Sequence, residues 1–104
     1  MIAFESKAVI NPTAFKEVLL VGGVESATIR VADKGLVLVL RIAGEDRILG
    51  QYRGGPRYFR SLDGAVSLLI QHGIYQLEAD VKGWKPKTLT KKGGELLSGI
   101  SIEP

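Results

Sequence analysis

The feature that most constrains this chain is the run Leu36-Val37-Leu38-Val39-Leu40, five apolar residues in succession between two turn signals. A half-buried strand alternates apolar with polar residues, so an unbroken run of this kind fits a central strand covered on both faces. The run extends through Arg41 to Ile42. Asp33-Lys34-Gly35 before it and Gly44-Glu45-Asp46 after it read as turns, which makes it the middle of an antiparallel meander. One partner is the preceding stretch, where Ala27, Ile29 and Val31 alternate with Thr28, Arg30 and Ala32. The other partner runs from Arg47 to Arg53, until Gly54-Gly55-Pro56 breaks it. Arg57-Tyr58-Phe59-Arg60 then returns as a short edge strand.

A helix precedes the meander and another follows it. Asn11 can cap a helix through its side-chain oxygen, and Pro12 at the first helical position loses no needed N–H. Phe15, Val18 and Leu19, with Ala14 beside them, form an apolar stripe that Gly22-Gly23 ends. Ser61 caps the second helix, with Asp63 favourably placed in its first turn and Gly73 at its stop. Leu62, Ala65, Val66, Leu69 and Ile70 are its expected buried stripe. Beyond it, Tyr75, Leu77, Ala79 and Val81 alternate with Gln76, Glu78 and Asp80, as in a strand that pairs back onto the meander with its acidic face in water. The expected fold is α+β, an antiparallel meander of three to four strands with two short helices, in the order α-β-β-β(β)-α-β. Residues 1–81 form the single domain, and 82–104 a basic, partly flexible C-terminal arm.

At 104 residues, with hydrophobic residues at 45% and charged residues at 24%, the chain suits one ordinary globular domain. Cysteine is absent, which excludes a disulfide framework, a thiolate metal site and a cysteine nucleophile. No apolar run is long enough to span a bilayer, and Glu5, Ser6 and Lys7 interrupt any secretory signal. A cytoplasmic protein with no membrane partner is expected.

Charge is unevenly placed. Residues 41–60 carry five arginines against Glu45 and Asp46, residues 61–81 carry three acids and no lysine or arginine, and residues 82–94 carry five lysines and no acid. Two basic blocks flanking an acidic one attract polyanions or simply keep a protein soluble.

Enzymatic chemistry has little to stand on. The only histidine, His72, falls at the end of the second helix, where a positive charge offsets the helix dipole. Ser61, His72 and Asp80 supply the residue types of a hydrolytic triad without a nucleophile elbow. Glu78 and Asp80 are too few ligands for a good cation site, and the glycine pairs lack the lysine of a phosphate loop. No enzyme activity, cofactor or metal is expected.

Binding has more. RILGQYRGGPRYFR, residues 47–60, sets Arg53, Arg57 and Arg60 around a glycine turn, interleaved with Tyr52, Tyr58 and Phe59. Arginines contact phosphates and aromatics stack on bases. Phe59, beside a helix cap, is expected in the core and Tyr58 exposed; the alternative is a plain hairpin with aromatics inward and arginines solvated. KGWKPKTLTKK, residues 82–92, adds Lys85, Lys87, Lys91 and Lys92 on an arm able to follow a phosphate backbone, or merely solvated. Trp84 is expected to cover one end of the core.

The stretch PRYFRSLDGAVSLLIQHGIYQLEADVKGWKP, residues 56–86, has an arginine-aromatic strand, an S-L-D helix start, a Gly-Ile stop, an alternating acidic strand and a terminal aromatic. It resembles small plasmid-borne partition-associated proteins. That resemblance implies plasmid maintenance, with plasmid DNA or a partition component as partner, and carries no catalytic residues. The expected function is non-specific DNA binding through Arg53, Arg57, Tyr58, Arg60, Lys85, Lys87, Lys91 and Lys92. The alternative is an adaptor acting on a partition ATPase or a conjugation component, using an open sheet edge or the apolar segment Leu96–Ile102. An unpaired edge would also allow a homodimer.

Overall fold

The computed structural model describes residues 8–86. In them the chain runs β1 (Val9–Ile10), α1 (Pro12–Leu20), β2 (Val24–Ala32), β3 (Gly35–Ile42), β4 (Glu45–Leu49), α2 (Leu62–Gln71) and β5 (Glu78–Asp80). The fold is α+β. Its sheet has five strands in the order β1-β4-β3-β2-β5.

β3 is the central strand, antiparallel to β2 on one side and β4 on the other. Its Leu36, Val37, Leu38 and Leu40 are wholly inaccessible, as a strand buried on both faces requires. Leu36, Leu38 and Leu40 join Ala27, Ile29, Leu49, Phe59 and the helices in the main core, while Val37 and Val39 join Ala32 and Ile48 on the other face. Phe15 enters the main core from α1, and Ala65, Leu68 and Leu69 enter it from α2, so both helices pack on one face of the sheet. Removing a side chain of this size from water stabilises the fold by about 1.5–3 kcal/mol.

Both helix starts form as the caps dictate. Asn11 Oδ1 accepts from the Ala14 N–H at 2.8 Å, and Ser61 Oγ accepts from the Gly64 N–H at 3.0 Å. The β3–β4 connection is a two-residue turn, Ala43-Gly44, both at positive φ (53° and 76°). That signature matches strand twist, and it sets the turn one residue earlier than Gly44-Glu45-Asp46. The resulting hairpin carries two exposed ion pairs, Arg41–Asp46 at 3.0 Å and Arg47–Glu45 at 2.9 Å.

Several expectations are corrected. The sheet is mixed rather than an antiparallel meander throughout, because β1 pairs parallel with β4 and β5 pairs parallel with β2. β1, two residues long, had no periodicity to announce it. β4 ends at Leu49, and the short strand expected at Arg57–Arg60 reduces to single bridges, Gly50 with Pro56 and Leu36 with Phe59. In α2 the buried residues are Ala65, Leu68 and Leu69, with Leu62 and Ile70 exposed, because the helix is rolled to aim Leu68 at the sheet. In the strand after α2, only three residues pair; Leu77 packs on the core, but Tyr75 and Val81 are exposed because β5 is an edge strand. Trp84 packs against the main core, as expected.

Candidate functional site

After β4 the chain makes a tight excursion, held at its base by Gln51 N–H to Gly55 O at 3.0 Å and Arg57 N–H to Leu49 O at 2.9 Å. Gly50 N–H donates to Ile10 O at 2.8 Å, so β1 anchors the start of this excursion. A side chain at Gly50 would collide with Val9 and the Gly55 carbonyl, which explains glycine there. The excursion stands opposite the two helices, and together they border an open groove of about 840 Å³.

α1 lines the groove with Pro12, Phe15 and Lys16, and α2 with Gly64, Ser67, Leu68, Gln71 and His72. Those positions recur at three- and four-residue spacing, the signature of one helix face. The excursion adds Tyr52, Arg53 and Arg57. Lys16, Arg53 and Arg57 therefore share one concavity whose lining, among the described residues, holds no carboxylate. The Arg57 guanidinium lies 4.8 Å from the Phe59 ring centroid, so a core aromatic supports it from below. Lys16 Nζ donates to the Tyr52 hydroxyl at 3.2 Å, tying α1 to the excursion across the groove.

His72 is the C-cap of α2. Its Nδ1 is 2.9 Å from the Leu68 carbonyl oxygen, and since a carbonyl only accepts, Nδ1 carries the hydrogen. Its ring tilts against Phe15 with centroids 5.2 Å apart. Ser61 sits at the opposite end of the ten-residue α2, roughly 15 Å of helix away, so the two cannot form a dyad. Asp80 is on β5, exposed with Glu78.

The basic residues singled out in the sequence fall into separate groups. Arg53 and Arg57 meet at the groove. Arg60 and Lys85 instead border a second depression with Lys34, Asp33 and Trp84. Arg41 and Arg47 are engaged by the acids of their own hairpin. Lys87, Lys91 and Lys92, and the apolar segment Leu96–Ile102, lie outside the described residues. Tyr58 is corrected: adjacent strand residues point to opposite faces, and with Phe59 inward on the helix side, Tyr58 is half-buried against the second cluster. Among the aromatics of residues 47–60, the exposed one is Tyr52. Lys16, Ser67 and Gln71 escaped the sequence reading because they come from two distant helices; only their place beside the apolar stripes, next to Phe15 and Leu68, hints at them.

Among the described residues no helix is long and apolar enough to cross a membrane. No curated protein and no solved structure matches the chain. A family model does match, over residues 10–88, which takes in both helices, the whole sheet except Val9, and the groove: the chain belongs to the ParC-like family.

Proposed function

We propose that this protein is a non-enzymatic DNA-binding accessory of plasmid partition or stability, holding the phosphate backbone without sequence preference. The observation that carries this reading is the meeting of Lys16, Arg53 and Arg57, from two distant parts of the chain, around one groove with no carboxylate in its lining among the described residues. Three cations with no ion pair among the described residues create a potential for a polyanion. Arg60 and Lys85 add cations around a separate depression that also holds Asp33, and Lys87, Lys91 and Lys92 follow in sequence. The stretch resembling partition-associated proteins lies within the family match.

The test is affinity for plasmid DNA across a salt series. Each phosphate contact contributes about 0.9 to the slope of log affinity against log salt. Three contacts give a slope near −2.7, which is a loss of about forty-fold between about 50 and 200 mM salt. Replacing Arg53 and Arg57 by alanine should remove about 1.8 from the slope. Undetectable or salt-independent binding of both plasmid and single-stranded DNA refutes the proposal.

An adaptor role is favoured by a different observation. β5 is exposed along its length, its outer edge is unpaired among the described residues, and Tyr75 and Val81 beside it are exposed. Such an edge accepts a strand from a partition ATPase or another plasmid protein. Co-purification with that ATPase, lost on Ala79→Pro, would support it; an unchanged yield would count against it.

A further inference from the structure

We infer, building on the DNA-binding proposal, that the groove takes an unpaired strand rather than duplex DNA, and that Tyr52 stacks on one of its bases. Shape comes first. A duplex presents its phosphates on a broad convex rod with its bases inside, so it reaches the rim of a concavity and leaves the floor empty. This groove is an open concavity of about 840 Å³, with room for a single base. An unpaired strand can place a base inside while its phosphates stay at the rim.

The lining is graded in the same way. Its floor is apolar and aromatic, formed by Phe15, Leu49 and Leu68, with the His72 ring against Phe15. One wall offers Ser67 and Gln71, a helical turn apart on α2, as donors and acceptors for a base edge. The cations Lys16, Arg53 and Arg57 are all exposed, where phosphates would lie. An acidic peptide would engage the cations but has no use for a flat aromatic surface at the mouth.

Tyr52 supplies that surface. It is 73% exposed, yet its hydroxyl is held by Lys16 Nζ, with the nitrogen 5.9 Å from the ring centroid. The contact tethers an otherwise exposed ring, which lowers the entropy lost when a base stacks on it. Tyr75 is as exposed but lies beside Glu78 on the slot between β2 and the segment before β5, away from the groove cations. A cationic groove with a stacking aromatic is the arrangement that binds single strands without sequence preference.

The experiment uses the full chain and fluorescence anisotropy with three probes at about 50 mM salt: an oligothymidine of about 12 nucleotides, a duplex of equal length, and a polyglutamate peptide. The oligothymidine should bind at least about ten-fold tighter than the duplex or the peptide. Tyr52→Ala should weaken the oligothymidine about ten-fold and leave duplex affinity unchanged, while Tyr52→Phe, which keeps the ring and loses the hydroxyl, should retain most of the affinity. Equal or tighter duplex binding, an indifferent Tyr52→Ala, a Tyr52→Phe as weak as the alanine variant, or a peptide that binds as well as DNA overturns the inference. Duplex binding with an indifferent Tyr52→Ala leaves the broader DNA-binding proposal standing. Failure of both DNA probes removes that as well.

Discussion

Gly35→Ala tests how the site is tied to the sheet. Gly35 opens β3 at φ +147°, a conformation that side-chain-bearing residues rarely adopt, and a methyl group there would sit 2.7 Å from the Phe59 carbonyl oxygen. That oxygen accepts the Leu36 N–H at 2.9 Å, and the Phe59 N–H donates back to Leu36 at 2.8 Å. The substitution therefore imposes about 1–3 kcal/mol of backbone strain. It also endangers two hydrogen bonds worth about 0.5–1.5 kcal/mol each. If the chain yields instead, Phe59, only 7% exposed, is pushed out of the core with Arg57 above it. A loss of about 2–4 kcal/mol follows, which for a domain of this size lowers Tm by about 10–25 °C. Gly54→Ala is the control, because Gly54 has a positive φ of 101° but nothing within 4 Å, leaving only the backbone strain. Urea unfolding of both variants gives the comparison. A Gly35→Ala loss below about 1 kcal/mol, or one equal to that of Gly54→Ala, refutes the argument from the Phe59 contact.

Leu69→Ala empties a wholly inaccessible position of α2 and should cost about 2–5 kcal/mol in chemical unfolding. Ser61→Ala removes the acceptor for the Gly64 N–H and should cost about 1 kcal/mol, read from thermal melts. Ala43→Asn should stabilise by about 0.5–1 kcal/mol, since asparagine tolerates the left-handed conformation that Ala43 is forced to hold at φ 53°. Asp46→Ala breaks the Arg41 pair, yet both partners are about half exposed, so its effect on the urea midpoint should stay below the equivalent of about 1 kcal/mol.

Local chemistry made much of this fold legible. Asn11-Pro12 and Ser61 announce helix starts that the structure reproduces, and the Leu36–Leu40 run announces a strand buried on both faces. What stayed hidden depends on contacts distant in sequence. Val9 and Ile10 become a strand only because β4 offers an open edge. Ala65 to Ile70 is apolar except for Ser67, so the sequence tolerates several helix rolls and the sheet selects one. The groove was half visible: Arg53 and Arg57 stand out around their glycine turn, but Lys16 joins them only once α1 has crossed the sheet. Tyr58 and Tyr52 could not be sorted beforehand, because the short bridge that fixes which side of Phe59 faces inward leaves no alternation to read.

The mixed sheet also orders events during folding. β2, β3 and β4 are joined by two-residue turns, so their pairing closes only short loops. The outer strands differ: Val9 meets Ile48 and Thr28 meets Glu78, each joining distant parts of the chain across a helix. Closing such loops is slow, which makes the three-stranded centre the natural nucleus and the two parallel edges late additions. Weakening Leu38 should then retard refolding, whereas weakening Val9 or Leu77 should chiefly hasten unfolding. The groove, whose excursion is anchored through Gly50 to Ile10, would be assembled only when the last edge strand docks.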